Sequence, residues 1–291
     1  FSNGVTCALV GTNAEPFVPF TLQSTVPTVV CRSTNEVWRW HATALNGHCF
    51  ADPVFIATNG PGVAYSILDE PQLPWTDYPG VTTNAWVSVL DFVTQSNACV
   101  GSITKPEALS DLTEFLFRNH GLLYDTTGGA SSYTVKEGFF FAASAYMKKS
   151  ATHDVNMVPR AGNIVNCYDQ AAALTCFGRI IGVDSQYRLQ EPFGYLNPTN
   201  LVGRGLSNNP FYASAGTSPR VGDDDRRTGF GNHAFVTFGG MVFDACGGPI
   251  QGDLSVSEYL ATVIDRSKSW EDGAAAKTNA VPDTCDFTFI F

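Results

Sequence analysis

Cys167 stands in the stretch NCYDQAAAL, residues 166–174, where several signals for the start of a helix coincide. Asn166 is a favoured N-cap residue, and the alanines and leucine that follow suit a buried helix. A cysteine in a first turn lies near unsatisfied backbone N–H groups, whose partial positive charge favours the thiolate, the nucleophilic form of that side chain. Such a cysteine can equally be a small core residue. Chemistry needs a base beside it and a group that orients the base.

Both are offered by NHAFVTFGGMVFDAC, residues 232–246. Two apolar runs flank Gly239-Gly240, the signature of a two-residue hairpin loop. That loop pairs Phe238 with Met241, and counting outward it pairs Phe235 with Asp244 and His233 with Cys246. Side chains alternate between faces, so Ala234, Val236, Phe238, Met241, Phe243 and Ala245 make one apolar face. His233, Phe235, Thr237, Val242, Asp244 and Cys246 share the other, where His233 and Asp244 are diagonal neighbours within reach of each other. A carboxylate beside an imidazole fixes its tautomer and supports its charged form, which is the base and orienter half of a nucleophilic triad. Without the cysteine, the same pair would read as a solvated contact at a hairpin edge.

The elements that must position these residues change in texture near residue 100. Before it, short β-rich runs (VTCALV, FTLQST, TVVCRST, EVWRWHATAL, VFIAT, VAYSIL, AWVSVLDFV) alternate with Asn, Gly and Pro, as in an antiparallel sandwich. After it, helical signals appear. TKPEALSDLTEFLFRNHG opens on a Thr104/Glu107 capping box and carries Leu109, Leu112 and Leu116 on one stripe. TVKEGFFFAASAYMKKS repeats the device with Thr134 and Glu137. The helix from Cys167 should stop at Gly182, a strand is expected around SQYRL, and residues 197–232 read as long loops. The expected fold class is α+β, with a β-sandwich-like domain over 1–100 and the candidate catalytic domain over 101–291.

Composition narrows the function classes. Of 291 residues, 44% are hydrophobic and 15% charged, enough apolar content for a sizeable core. A net charge of −10 argues against a nucleic-acid partner. The longest apolar run, GFFFAASAYM, is about half of what spans a bilayer, so no membrane insertion is expected. No cofactor or metal motif stands out: DDDRR, Asp223 to Arg227, lacks an EF-hand pattern and reads as a self-neutralised loop. His41, His48, His120 and His153 have no visible partners in the sequence. The chain opens on Phe1, and its eight cysteines are scattered with no C-x-x-C pair, which suggests a processed, secreted protein. If Cys167 and Cys176 remain thiols, proximity suggests bridges Cys7–Cys31, Cys49–Cys99 and Cys246–Cys285, one of several connectivities the sequence allows.

In its order Cys167, His233, Asp244, the chain resembles the transglutaminase-like superfamily. NCYDQAAALTCFGRIIGV is similar to that family's run of cysteine, small residues, leucine, arginine and glycine, with Arg179 and Gly182 in matching places. HAFVTFGGMVFDAC is similar to its His-aromatic…Gly-aromatic…Asp-Ala-Thr segment, with Cys246 where the threonine would stand. The resemblance covers roughly 101–291 and implies a papain-like α+β domain. It also implies an enzyme in which Cys167 attacks a carbonyl, His233 carries the proton and Asp244 orients His233. Asn163 and Gln170 are the candidates for completing an oxyanion hole, each readable as structural. The resulting expectation is a secreted cysteine enzyme that forms a thioester from an amide bond of a protein or peptide substrate, most simply a peptidase or amidase. Alternatives are a crosslinking or deamidating transglutaminase, and a binding or toxin-like module built on a degenerate enzyme domain. The sequence says nothing of oligomeric state.

Overall fold

A computed structural model describes residues 28–45, 48–75, 86–135, 140–191, 193–214, 216–218, 227–267, 283–284 and 289–290, with backbone alone for 35–45, 48–61, 283–284 and 289–290. Two long antiparallel strands, β1 (Cys31–Leu45) and β2 (His48–Ser66), form a ribbon of their own. Helix α1 (Val87–Val93) follows, then α2 (Lys105–Glu114), which runs on as a π-helical turn over Phe115–Asn119. Short strands β3 (Leu123–Tyr124), β4 (Thr134–Val135) and β5 (Phe140–Phe141) precede α3 (Ala143–Lys148) and β6 (Ile164–Val165). Next come α4 (Cys167–Ile180), β7 (Gln186–Gln190), β8 (Thr199–Leu201) and β9 (Gly205–Ser207). The chain then forms β10 (His233–Phe238), β11 (Met241–Asp244), β12 (Ile250–Ser255), α5 (Val256–Val263), β13 (Asp283–Thr284) and β14 (Phe289–Ile290). An antiparallel five-stranded sheet has the order β12-β11-β10-β7-β13, and α4 packs on its middle strand, β10. The architecture is mixed α+β. No helix among the described residues is long and apolar enough to cross a membrane.

Helix α4 begins and ends where its residues require. Asn166 Oδ1 accepts from the Asp169 N–H at 3.1 Å, and the Asp169 carboxylate accepts from the Asn166 N–H at 3.4 Å, a reciprocal capping box. Except for Tyr168, every residue of the helix is buried, including the polar Asp169, Gln170, Thr175 and Arg179. Gly182, at φ +88°, ends the turn, and a Cβ there would fall 2.5 Å from the Asp69 carbonyl oxygen. Glycine is therefore needed twice over, for the left-handed backbone and for the close approach of residues 67–72.

The hairpin adopts the register the sequence implies. Phe238 pairs with Met241, Thr237 with Val242 and Val236 with Phe243, around Gly239 and Gly240 at φ +59° and +83°. Positive φ at both loop positions is what a two-residue turn of this twist demands. Neither face of β10 is solvated, because the strand is central in its sheet and carries α4.

Other expectations are corrected. The runs VTCALV and FTLQST lie outside the described residues. The next four merge into the two strands of one ribbon, so no sandwich forms among the described residues. AWVSVLDFV is a helix, α1: Val89, Leu90 and Val93 form a helical stripe into the core. Asp91 ties α1 to the ribbon base, bonding Arg32 at 2.8 Å and the Tyr65 hydroxyl at 2.6 Å. The boundary at residue 100 runs through a shared core, since Val30, Trp75, Val89, Val93 and Cys99 belong to the same buried cluster as α2 and α4. Trp75 Nε1 donates to the Cys176 carbonyl at 2.7 Å.

The helix expected from Thr134 starts instead at Ala143. Phe140 and Phe141 pair with β4 and β14, while Thr134 gives its N–H and hydroxyl to the Asp169 carboxylate. On α2, Thr104 caps Glu107 as expected, but Glu107 reaches the Ile103 N–H and not that of Thr104. The stripe Leu109, Leu112 and Leu116 is fully buried.

Because the core spans residue 100, Trp75→Ala should destabilise the protein by about 3–5 kcal/mol in a urea titration. A fragment of residues 101–291 should show no cooperative unfolding by circular dichroism. A sharp transition for that fragment would contradict the shared core.

Candidate active site

The loop before α4 is fixed by a buried polar network. Parallel pairing of β3 with β6 sets Tyr124 beside Val165 and leads the chain directly into Asn166 and Cys167. Asp125 accepts from the Thr127 and Ala130 N–H groups at 3.0 and 2.9 Å, and Arg160 bridges Asp125 and Asp154 at 3.3 and 2.6 Å. Asn166 Nδ2 donates to the Gly129 carbonyl at 2.6 Å. Asp169 accepts from the Ser132, Tyr133 and Thr134 N–H groups at 2.8–2.9 Å, holding this loop to the helix. Burial nevertheless raises the Asp169 pKa to about 6, against the pull of those donors.

Packing of α4 on β10 brings Cys167 to His233. His233 Nε2 donates to Asp244 Oδ2 at 2.8 Å, with the two side chains 5% and 1% exposed, so this is a buried pair and not a solvated edge contact. Asp244 is held further by the Tyr259 hydroxyl, which donates to Oδ2 at 2.7 Å. The Cys246 and Gly247 N–H groups donate to Oδ1 at 2.7 and 3.0 Å. Among the described residues, His233 Nδ1 has no hydrogen-bond partner. Cys167 lies beside the ring and, with Asp244, helps hold its charged form.

The electrostatics follow from this geometry. Burial works against a charged His233, but the Asp244 carboxylate outweighs it, and with Cys167 nearby the His233 pKa rises to about 10. The reciprocal attraction, with the Tyr259 and backbone donors, overcomes burial at Asp244 and lowers its pKa. Cys246 behaves oppositely, its pKa driven well up by burial and by the neighbouring Asp244 and Cys167. Burial likewise pushes Cys176 and Cys99 to about 12. The arrangement juxtaposes a cysteine at a helix start with a charged imidazole whose free nitrogen can pass a proton.

Structure and sequence agree on Cys167, His233 and Asp244 as neighbours. Of the oxyanion candidates, Gln170 is committed elsewhere. Gln170 is fully buried and used at both ends, donating to the Ala245 carbonyl at 2.7 Å and accepting from the Tyr146 hydroxyl. Asn163 serves β3 through its backbone carbonyl, 2.8 Å from the Leu123 N–H. Arg179, from the family-like run, braces the helix end through the Ser185 carbonyl at 2.9 Å.

The expected bridges are absent at their described ends. Cys31, Cys99 and Cys246 carry thiols, whereas Cys7, Cys285 and the Cys49 side chain lie outside the described residues. Cys99 Sγ instead donates to the Val93 carbonyl at 3.1 Å. Asp223 to Arg226 are likewise outside them, and Arg227 pairs with Asp265 at 2.6 Å. Among the described residues no three His, Cys, Asp or Glu side chains form a group fit for a metal. His120 is a core residue in an aromatic cluster with Phe92, Phe115 and Tyr146, its pKa lowered by burial to about 4. His153 is exposed beside Thr152.

Sequence reasoning missed Tyr259, which reads as one more apolar position on the inward face of α5. It also missed Phe193 and Phe230, whose ring centroids lie 4.8 and 5.8 Å from that of His233. These residues sit in or beside stretches that the sequence gives only as loop.

The His233 pair implies a pH dependence. With a folded pKa of about 10 against an ordinary 6.5, its contribution to stability is complete below pH 6.5 and is lost as pH rises toward 10. The denaturation midpoint of the native chain should therefore fall across that window more steeply than that of Asp244→Asn; equal slopes would contradict the shift. No family model, characterised protein or solved structure matches this chain, which leaves the side chains and their geometry as the ground for assigning chemistry.

Proposed function

We propose that the chain is a cysteine-dependent enzyme acting on amide bonds of a protein or peptide, with a site of the transglutaminase-like kind. The buried His233–Asp244 pair facing Cys167 at the start of α4 carries this reading. With the Cys167 thiol proton passed to His233 Nδ1, the sulfur lone pair bonds to the carbonyl carbon as the C=O π electrons move to oxygen. Collapse of that adduct expels the amine, which takes the proton held on His233 Nδ1, and leaves a thioester. Water then adds to the thioester carbon with one proton passing to His233, and collapse of that adduct releases the acid and returns Cys167 as the thiolate beside the protonated ring. Hydrolysis is the preferred outcome because water outnumbers any competing amine. An extracellular setting is proposed on composition alone, since the thiols of Cys31, Cys99 and Cys246 withdraw support from the bridge pattern.

Iodoacetamide at neutral pH, followed by mass spectrometry, should label Cys167 well ahead of Cys176 and Cys246. Cys167→Ala should abolish peptide turnover without loss of fold. Asp244→Asn should cut turnover by about three to four orders of magnitude. That substitution should also cost about 1–3 kcal/mol, because the donors around the carboxylate lose an acceptor of full charge. A Cys167 that labels no faster than Cys176 in the native chain would favour the non-catalytic binding module instead.

A further inference from the structure

A thioester-forming site must hold the negative charge that grows on the substrate oxygen, and the Gln170 amide is already committed to Ala245 and Tyr146. Tyr124 ends β3 opposite Val165, two residues before Cys167. Its backbone is clamped on both sides, its N–H donating to the Val202 carbonyl at 2.9 Å and its carbonyl accepting from Arg204 Nε at 3.0 Å. The side chain is buried and packs on Phe211 and Phe230, with ring centroids at 6.3 and 6.2 Å, and Phe230 in turn borders His233.

The hydroxyl points to the α4 start. A Cβ on Gly129 would sit 3.4 Å from it, and the Gly129 carbonyl is the one bonded by the helix-capping Asn166. Burial first, then the nearby Cys167 and Cys246, holds the Tyr124 pKa well above the ordinary tyrosine value, so the group stays a neutral donor at physiological pH. Accepting the proposed role of Cys167, we infer that the Tyr124 hydroxyl donates to the oxyanion of the tetrahedral adduct, alongside the Cys167 backbone N–H. The C=O π electrons that move to oxygen when the C–S bond forms are held by these two donors. They return to the carbonyl when the leaving group departs.

Two probes separate this role from others. Acetylation of Cys167 by p-nitrophenyl acetate passes through an oxyanion, whereas alkylation by iodoacetamide is a direct displacement that forms none. Tyr124→Phe keeps the ring and its packing, so its melting temperature should match that of the native chain. The p-nitrophenolate burst rate should fall roughly a hundredfold, while the rate of Cys167 alkylation stays unchanged. An unchanged burst would overturn the inference. A parallel fall in both rates would also overturn it, because the hydroxyl would then act on the thiol itself. If native Cys167 reacts with neither probe while the denatured chain reacts with both, the nucleophile assignment fails and takes this inference with it.

Discussion

A carboxylate withdrawn from water must be paired, and Asp244 is withdrawn almost completely. His233, Tyr259 and the N–H groups of Cys246 and Gly247 satisfy it together. That requirement organises much of the fold around it. The Gly239-Gly240 turn fixes the register that sets His233 and Asp244 on one face, where a slip by one residue would move the carboxylate to the apolar side. The chain beyond Asp244 turns so that two backbone donors meet Oδ1, and β12 and α5 return Tyr259 to Oδ2.

The same pair distinguishes the two cysteines nearest to it. Cys246 lies two residues from Asp244, buried beside a negative charge, and is kept a protonated thiol. Cys167 faces the imidazole instead, at the N-terminal end of a helix whose cap is wired to the loop in front of it. Asp169 shows how thoroughly that loop is held, since its one carboxylate serves both the helix cap and three successive backbone amides. A site assembled from a helix end, a central strand and a braced loop holds its side chains in fixed positions, which is what the proposed attack on a carbonyl would require.

The core of the site was legible because it depends on local rules. Asn166 spells a helix start, Gly182 a stop, and Gly239-Gly240 a turn of fixed length, and alternation then carries His233 to Asp244. What was illegible depends on contacts between distant segments. Thr134 has helix-start chemistry, yet its N–H and hydroxyl go to Asp169, and Phe140 and Phe141 are taken into a small sheet with β14. The valines of AWVSVLDFV suit a strand or a helix, and the helical stripe that fits the shared core decides the matter. Tyr259 looks like a core aromatic, because only its partner Asp244 reveals what its hydroxyl does. Cysteine spacing alone supplied three bridges, and the thiols found at Cys31, Cys99 and Cys246 show how little spacing says without the distances between side chains.

The state of the His233 ring is the most direct gauge of this arrangement. NMR of histidine-labelled protein, with His233 assigned by substitution, reports whether the ring is charged at each pH. The buried carboxylate should keep it imidazolium through pH 8, with neutralisation only as pH approaches 10. A His233 that titrates near the ordinary 6.5, or is already neutral at pH 7, would contradict the claim that Asp244 holds a charged imidazole against Cys167.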